Sequence, residues 1–350
     1  MGSDRNHLLF FEKYDTIDTI EIEKRNNRGG TVLTIVLLDT ATLGEDIDLS
    51  PIQAVEGIDR VIEYKNTAPD QVADRLREAD AVMVNKLKLG AHNLPLCPKL
   101  KLICVTATGY DNIDTDYCRA HGIALYNVPS YSTDSVAQLT LAMALSLACR
   151  LTEYRGFVHS GDYSASGIAN RLTPVYHELT SMVWGVVGGG EIGSRVAQLA
   201  SAMGCRVLMC RRKADDRYEQ ADLDTLCRVS DIISLHVPLS EETRGLIGEK
   251  QIASMKQGAI LINVARGSVT DEEALTRAVE SGRLGGLGVD VYSREPFGED
   301  HPFCRLLGRS NVCLTPHMAW GSAESRARCI ETVCANVGSY LRGNAINRIV

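Results

Sequence analysis

Short apolar runs alternate with amphipathic segments from residue 31 onward, and this alternation limits the fold more than any other feature of the sequence. Continuous apolar runs of about four to eight residues predict strands that are buried on both faces. Such strands belong to parallel sheets that are covered by helices. Because the runs form two series separated by a long gap, we expect an α/β protein with two doubly wound parallel-sheet domains.

The first series of strand candidates covers residues 32–38, 61–64, 81–85, 100–107 and 123–128. The second series covers residues 182–188, 206–210, 232–237, 260–265 and 287–292. Residues 132–151 lie between the two series and predict one long helix, whereas residues 155–180 have no clear period and predict a surface connection. A last helix is expected at Ala323–Leu341.

The bulk properties fit a two-domain globular protein, since 350 residues are too many for one ordinary core. The net charge of −7 argues against nucleic acid or an anionic membrane as the main partner, and no apolar stretch reaches membrane-spanning length. Eleven cysteines are scattered without a Cys-x-x-Cys pair, which predicts reduced thiols in a cytoplasmic protein without disulfides or a metal site. Residues 1–30 end in a polar run and are expected to form a leader outside the folded domains.

A glycine-rich pattern follows the strand candidate at 182–188: Gly188, Gly190 and Gly193 form Gly-x-Gly-x-x-Gly. The first glycine allows a tight turn, the second lets the backbone approach a pyrophosphate, and the third lets the helix pack closely on the strand. Glu191 and Ile192 open that helix, whose free amides favour an anion. Because strand, glycines and helix occur in the required order, the pattern predicts a dinucleotide site rather than an ordinary turn.

The position expected to recognise the adenosine ribose carries arginine instead of an acid. An Asp or Glu about 20 residues after the glycines would hydrogen-bond the ribose hydroxyls of NAD. Here Arg211 and Arg212 follow the second strand of this domain, and arginine attracts a 2′-phosphate. We therefore expect NADP or NAD as cofactor with NADP slightly preferred, while a solvated basic face is the alternative interpretation.

Three strand ends of the second series carry polar side chains that suit one reaction. Arg266 follows one strand, Asp290 ends the next with Glu295 after it, and His317 follows a third. Ligands of doubly wound sheets bind at the carboxyl ends of strands, so these side chains are expected in one crevice. An acid inside an apolar strand, as at Asp290, is costly to bury unless it is paired.

The residue types match the reduction of a 2-keto acid. Arginine binds a carboxylate and a ketone oxygen together, and a histidine imidazolium donates a proton to the alkoxide that hydride transfer leaves behind. A carboxylate on the other ring nitrogen orients the imidazole and favours its charged form, and Glu295 would serve His317 in this way. Each residue alone has a structural interpretation, as a strand-end cap, a turn acid or a histidine after proline. As a set beside a dinucleotide pattern, they favour catalysis.

Over residues 31–350 the sequence resembles the D-isomer-specific 2-hydroxyacid dehydrogenases. The shared motifs, in family order, are residues 188–193, 263–267, 288–296 and 315–317. The resemblance implies that Arg266 binds substrate, that His317 is the acid/base and that Glu295 is its partner. The further positions that it assigns to cofactor binding are Val237, Pro238, Ala265 and, near the nicotinamide, Asp290.

The same resemblance assigns part of the substrate site to the first domain. Residues 106–114 are similar to the family loop whose backbone amides hold the substrate carboxylate, with Thr108 and Gly109 at the contact positions, and Lys86 would add a cation. The implied domains are a flavodoxin-like substrate domain, residues 31–129 with 319–350, and a Rossmann cofactor domain, residues 130–318. Family members are commonly homodimers joined through their cofactor domains.

Within the family the chain is most similar to the glycerate dehydrogenases, also called hydroxypyruvate reductases, on the basis of residues 85–86, 133–138 and 316–320. The expected reaction is hydride transfer between NAD(P)H and a small 2-keto acid or (R)-2-hydroxy acid. Hydroxypyruvate and glyoxylate, reduced to D-glycerate and glycolate, are the favoured substrates. Two alternatives stay open. One is an NAD(P)-sensing binding module on the same scaffold, and the other is a phosphite dehydrogenase, since related enzymes oxidise phosphite with the same Arg-Glu-His set.

Overall fold

Two sheets of mainly parallel strands organise residues 19–23, 33–212 and 216–350, the part of the chain that the computed structural model describes. The first sheet contains β1 (Thr19–Glu23), β2 (Leu33–Leu37), β3 (Ile58–Tyr64), β4 (Ala81–Val84), β5 (Leu102–Val105) and β6 (Ala124–Tyr126). The second contains β7 (Val183–Val187), β8 (Arg206–Cys210), β9 (Glu219–Gln220), β10 (Ile232–Leu235), β11 (Ala259–Asn263), β12 (Leu284–Val289) and β13 (Val312–Leu314). The predicted α/β class with two parallel-sheet domains is confirmed.

The helices lie mostly between consecutive strands. The α-helices are α1 (Ser50–Ala54), α2 (Val72–Leu76), α3 (Thr115–His121), α4 (Thr133–Ala148), α5 (Leu151–His159), α6 (Asp162–Ser166), α7 (Glu191–Ala202), α8 (Leu223–Val229), α9 (Glu249–Ser254), α10 (Glu272–Glu280) and α11 (Ala323–Leu341). Short 3-10 helices occur at Thr40–Leu43, Pro69–Gln71, Leu94–Leu96, Leu179–Ser181, Gly267–Val269 and Pro302–Leu306.

The described chain forms two compact units. One runs to Val128 and resumes at Ile330–Val350, and the other is Pro129–Cys329. Residues 319–329, which were expected in the substrate domain, belong to the second unit. Hydrogen bonds hold them there: the Ala319 amide donates to Asp290 and the Arg328 guanidinium donates to the Tyr131 carbonyl.

The sheet of the first unit has the strand order β1-β3-β2-β4-β5-β6, and only the β1–β3 pair is antiparallel. Its middle strands are buried on both faces, as continuous apolar runs require. Strand β1 comes from the segment that was expected to lie outside the fold. It pairs along the outer edge of β3, where unpaired backbone groups accept a further strand. The rest of that leader, residues 1–18 and 24–30, lies outside the described residues.

The sheet of the second unit has the order β13-β12-β11-β10-β7-β8-β9, with all neighbours parallel. The chain starts in the centre at β7, builds outward through β8 and β9, and returns to the other side of β7 with β10. Strand order therefore reverses between β7 and β10. In open α/β sheets this reversal forms the crevice in which ligands bind.

One predicted helix is two helices in the structure. Residues 132–151 were expected to be continuous, but α4 ends at Ala148 and α5 starts at Leu151 with a bend of 63°. Arg150 between them has φ 55, a left-handed conformation that ends the first helix. Across the described ranges, no single helix is long and apolar enough to cross a membrane, although the bent pair α4–α5 together reaches that length and composition.

Candidate active site

The glycine turn after β7 has the shape that a dinucleotide needs. Gly188 has φ +102, and a Cβ there would lie 2.6 Å from the His236 carbonyl oxygen. A Cβ on Gly193 would lie 1.8 Å from the Gly188 carbonyl oxygen, so α7 can pack this closely on the turn because residue 193 is glycine. Gly190 is different, because within the described residues nothing approaches its Cβ position within 4 Å. Open space therefore lies before the N-terminus of α7, which fits a pyrophosphate held by backbone amides.

A pocket of about 730 Å³ continues from this turn toward the end of β8. Its lining residues are Thr133, Gly189, Gly190, Glu191, Ser194, Arg195, Gln198, Arg211, Arg217 and Tyr218. The Arg211 side chain lies over the glycine turn, with Cδ 2.6 Å from the point where a Cβ on Gly189 would be. Arg217 and Tyr218 could not be predicted from the sequence, because they lie in a turn and a bend that have no strand or helix period.

Arg212, which was also predicted to bind cofactor, does not line this pocket. Its guanidinium forms an ion pair with Glu242 at 2.5 Å, and both side chains are largely exposed. The alternation of side chains along an extended chain explains the difference, since neighbours at a strand end point to opposite sides. Only one arginine of the predicted pair therefore faces the glycine turn.

His236 lies directly under the glycine turn, at the end of β10. Its amide donates to the Val187 carbonyl at 2.7 Å, and Nε2 lies 3.0 Å from Ser234 Oγ, which also accepts from Trp184 Nε1 at 2.9 Å. Nδ1 is buried and has no hydrogen-bond partner in the part of the chain that the structure describes. Burial lowers the pKa of His236 to about 3, so its ring is neutral.

Val237 and Pro238, which the resemblance assigns to cofactor binding, follow His236 in the chain. Val237 Cγ1 lies 3.0 Å from the Cβ position of Gly188, and the Pro238 carbonyl accepts from the Thr243 hydroxyl at 2.6 Å. Val237 therefore packs beside the glycine turn, and a hydrogen bond from Thr243 fixes the backbone at Pro238.

The turn that carries Arg266 is fixed by a buried asparagine at the end of β11. Asn263 Nδ2 donates to the Arg266 carbonyl at 2.9 Å, and Oδ1 accepts from the Ala265 amide at 3.0 Å. A Cβ on Gly267 would lie 2.0 Å from the Tyr292 carbonyl carbon. Only glycine lets this turn touch the loop after β12, so Arg266 and that loop are held together.

Asp290 is fully buried at the end of β12, and its carboxylate organises the turn that contains His317. Oδ1 accepts from the Thr315 hydroxyl at 2.6 Å and the Met318 amide at 2.9 Å, while Oδ2 accepts from the Ala319 amide at 2.9 Å. Burial raises the pKa of Asp290, and the three hydrogen bonds act in the opposite direction. The structure shows this carboxylate bound to the His317 turn, and its assignment to the cofactor site stays a prediction.

His317 and Glu295 form the contact that the sequence analysis predicted. His317 Nδ1 lies 2.6 Å from Glu295 Oε2, and both side chains are partly exposed. Glu295 Oε1 accepts from the Tyr292 amide at 2.9 Å, and the Tyr292 hydroxyl donates to the Thr315 carbonyl at 2.9 Å. Tyr292, which sequence analysis missed, thus connects the glutamate loop to the histidine turn. Burial raises the pKa of Tyr292, which keeps its hydroxyl protonated as a donor.

In the first unit, the loop that carries Lys86 is held by Asp39, another residue that sequence analysis missed. Its buried carboxylate accepts from the amides of Asn85 at 2.9 Å and Lys86 at 2.7 Å. Burial raises the pKa of Asp39, and these amides oppose that effect. Thr108, at a second strand end of the same sheet, donates from its hydroxyl to the Val128 carbonyl at 2.8 Å. Gly109 follows it in the same partly exposed loop.

The second unit therefore presents an arginine, a histidine and a glutamate on strand ends that share backbone contacts. A histidine with one ring nitrogen against a carboxylate is suited to proton transfer, and an arginine is suited to a carboxylate or ketone oxygen. Within the described ranges, no three His, Cys, Asp or Glu side chains are placed to hold a metal ion.

Comparison with known proteins gives matches over most of the chain. A family model described as D-isomer specific 2-hydroxyacid dehydrogenase, NAD binding domain, matches residues 141–319. A glycerate dehydrogenase of Methylorubrum extorquens is 34% identical over 81% of this chain and 90% of its own length. A hydroxypyruvate reductase of Blautia hydrogenotrophica is 32% identical over 90% of this chain and 99% of its own. The solved D-lactate dehydrogenase from Aquifex aeolicus, complexed with NAD and lactic acid, is 31% identical with a TM-score of 0.78, covering 89% of this chain and 96% of that chain.

Proposed function

Since the chain belongs to the D-isomer specific 2-hydroxyacid dehydrogenases, we propose that it reduces hydroxypyruvate to D-glycerate, with glyoxylate as the second substrate. It is an NAD(P)-dependent oxidoreductase of 2-keto and 2-hydroxy acids. The relatives named glycerate dehydrogenase and hydroxypyruvate reductase support the choice of substrate. The observation that carries the catalytic assignment is the 2.6 Å contact between His317 Nδ1 and Glu295 Oε2.

The open space at Gly190 and the amides of α7 would hold the pyrophosphate of a nicotinamide cofactor, which supplies the hydride when bound. Arg266 would bind the substrate carboxylate and the ketone oxygen, which polarises the C=O bond. As hydride adds to the ketone carbon, the C=O electron pair moves to oxygen, and His317 donates its Nε2 proton to that oxygen. Glu295 holds the ring in place through its contact with Nδ1.

We propose that NADPH is preferred over NADH. Arg211 lies over the glycine turn and lines the same pocket as Arg217, so two guanidinium groups face the region next to the pyrophosphate cradle. Arginine binds phosphate through paired hydrogen bonds, whereas the acid usual at this strand end would repel it. NADH is still expected to react, since the pyrophosphate contacts are common to both cofactors.

We further propose a homodimer and a cytoplasmic location. In α5 and the segment that follows it, Leu151, Val158, Ile168, Leu172 and Val175 expose 53% to 73% of their surface. Apolar side chains concentrated in one segment indicate a protein interface, and a second copy of this chain is the proposed occupant. Introducing Leu172→Glu with Val175→Glu should therefore produce a monomer in sedimentation velocity. All eleven cysteines are free thiols, which fits a reducing compartment.

The decisive experiment is a panel of keto acids assayed with NADH and with NADPH, reporting kcat/KM for each pair. Hydroxypyruvate should give the highest value, because a polar pocket penalises an alkyl analogue that leaves its polar groups unpaired. Faster turnover of a bulky apolar keto acid would contradict the substrate assignment. If the protein oxidises phosphite but reduces no keto acid, the proposed reaction is contradicted. Cofactor binding without turnover of any substrate would contradict it as well.

A further inference from the structure

A buried carboxylate that no step of the proposed reaction uses lies beside the candidate active site. Glu272 is the first residue of α10, and its side chain is only 10% exposed. Oε1 accepts from the Ser293 amide at 2.8 Å, and Oε2 accepts from the Ser293 hydroxyl at 2.5 Å. The same Oε2 lies 3.0 Å from His301 Nε2. One carboxylate thus binds both ends of the loop between residues 293 and 301.

The tautomer of His301 follows from its second contact. Nδ1 accepts from the Phe303 amide at 3.2 Å, so Nδ1 carries the lone pair and Nε2–H donates to Glu272. The ring is 5% exposed and lies among aromatic side chains, with ring centroids 4.8 Å from Phe297 and 5.0 Å from Phe303. Burial and two hydrogen bonds leave this imidazole one orientation.

The loop that this pair anchors contains Glu295. Its first residues also touch the substrate-binding turn, because a Cβ on Gly267 would lie 2.2 Å from the Ser293 amide nitrogen. We propose that Glu272 and His301 are positioning residues that hold Glu295 against His317, an inference that rests on the proposed function. A charge-assisted hydrogen bond network of this kind fixes a loop more firmly than neutral contacts, and a misplacement of about 1 Å costs roughly a hundredfold in rate.

Two substitutions of the histidine separate its two contacts. His301→Gln places an amide N–H near the position of Nε2 and keeps the donor to Glu272, whereas His301→Asn keeps an acceptor near Nδ1 for Phe303 and loses that donor. Glu272→Gln removes the charge from the anchor. Glu273→Gln is the matched control, since the adjacent Glu273 forms ion pairs with Arg305 and Arg277 among side chains that are about half exposed.

We expect His301→Asn and Glu272→Gln to lower kcat with hydroxypyruvate by about tenfold or more, with KM for both substrates within about twofold. His301→Gln should recover most of the wild-type kcat, and Glu273→Gln should match wild type. Amide hydrogen exchange over residues 292–301 should accelerate in Glu272→Gln and not in Glu273→Gln.

Wild-type kcat in His301→Asn, or equal losses in the Asn and Gln variants, would overturn the positioning role, as would unchanged loop exchange in Glu272→Gln. If Glu272→Gln does not fold, kcat and the loop hydrogen exchange of the two His301 variants test the positioning role. A wild type that turns over no keto acid would contradict the proposed function instead, while the exchange measurement would still test the anchor.

Discussion

The backbone amide of Met318 lies 2.9 Å from Oδ1 of Asp290, so a carboxylate at the end of β12 fixes the residue next to His317. Asp290→Asn would present an amide N–H to one of the backbone amides or to the Thr315 hydroxyl. An unpaired buried donor costs about 1–3 kcal/mol, so chemical unfolding should show a loss of that size. We also expect kcat to fall, because His317 loses its fixed turn. Asp271→Asn, which retains the exposed cap acceptor of α10, is the control, and unchanged kcat in Asp290→Asn would refute the role.

Arg266→Ala should lose most activity, and Arg266→Lys should recover only part of it, because lysine supplies a point charge without the planar pair of donors. Losing paired charged hydrogen bonds should cost roughly 3 kcal/mol, which is about a hundredfold in kcat/KM. Steady-state kinetics with hydroxypyruvate would measure this loss. Near wild-type activity in the alanine variant would remove Arg266 from substrate binding.

Glu295→Gln should lower kcat for keto acid reduction by roughly tenfold or more, because a neutral amide holds the His317 ring less firmly than the carboxylate that lies 2.6 Å from Nδ1. Steady-state kinetics with hydroxypyruvate would measure this loss. Wild-type kcat in Glu295→Gln would exclude Glu295 from the mechanism.

Arg211→Asp should reverse the cofactor preference from NADPH to NADH, mainly through KM for the cofactor, because the adenosine end takes no part in the chemical step. Arg212→Asp is a matched control, since Arg212 pairs with Glu242 at the surface and does not line the pocket. The assay compares both cofactors at saturating hydroxypyruvate. A wild type that prefers NADH, or equal effects of the two substitutions, would contradict ribose recognition by Arg211.

His236 should make the protein less stable in mild acid. Its pKa is lowered to about 3 in the folded state, below the ordinary value of 6.5, so only the unfolded chain takes up a proton between these values. Stability attributable to this residue is complete above about pH 6.5 and is lost as pH falls toward about 3. Because the residue is partly exposed, we expect roughly 1–2 kcal/mol by about pH 5. His236→Gln keeps a hydrogen-bond partner for Ser234. When the pH is lowered from about 6.5 to about 5, the unfolding free energy of this variant, measured by chemical denaturation, should decrease less than that of wild type.

The sheets were predictable because burial on both faces demands long apolar runs, and each of the ten strand candidates overlaps a strand of the structure. Strand ends were less predictable: the run at 100–107 contains β5 only over Leu102–Val105. The break between α4 and α5 was also missed, since Arg150 is neither glycine nor proline and its left-handed φ carries no local signal.

Within the candidate site, Arg266, Glu295 and His317 were identifiable because they follow strands, and parallel strands end at one edge. Their roles stay predictions until the variants above are measured. Glu272, His301 and Asp39 were missed because their partners are set by tertiary folding: Glu272 and His301 are 29 residues apart, and Asp39 lies 47 residues from Lys86. No spacing rule relates such distant positions.

Strand β1 has a consequence for the edge of the first sheet. It covers the outer side of β3 along the register from Thr19–Tyr64 to Glu23–Arg60, and Arg60 Nε donates to Glu21 at 2.7 Å. A chain shortened to begin at Leu33 would leave the outer side of five residues of β3, Arg60–Tyr64, open to another molecule. An uncovered parallel-sheet edge is a template for intermolecular strand pairing, so this short antiparallel segment protects the protein from aggregation.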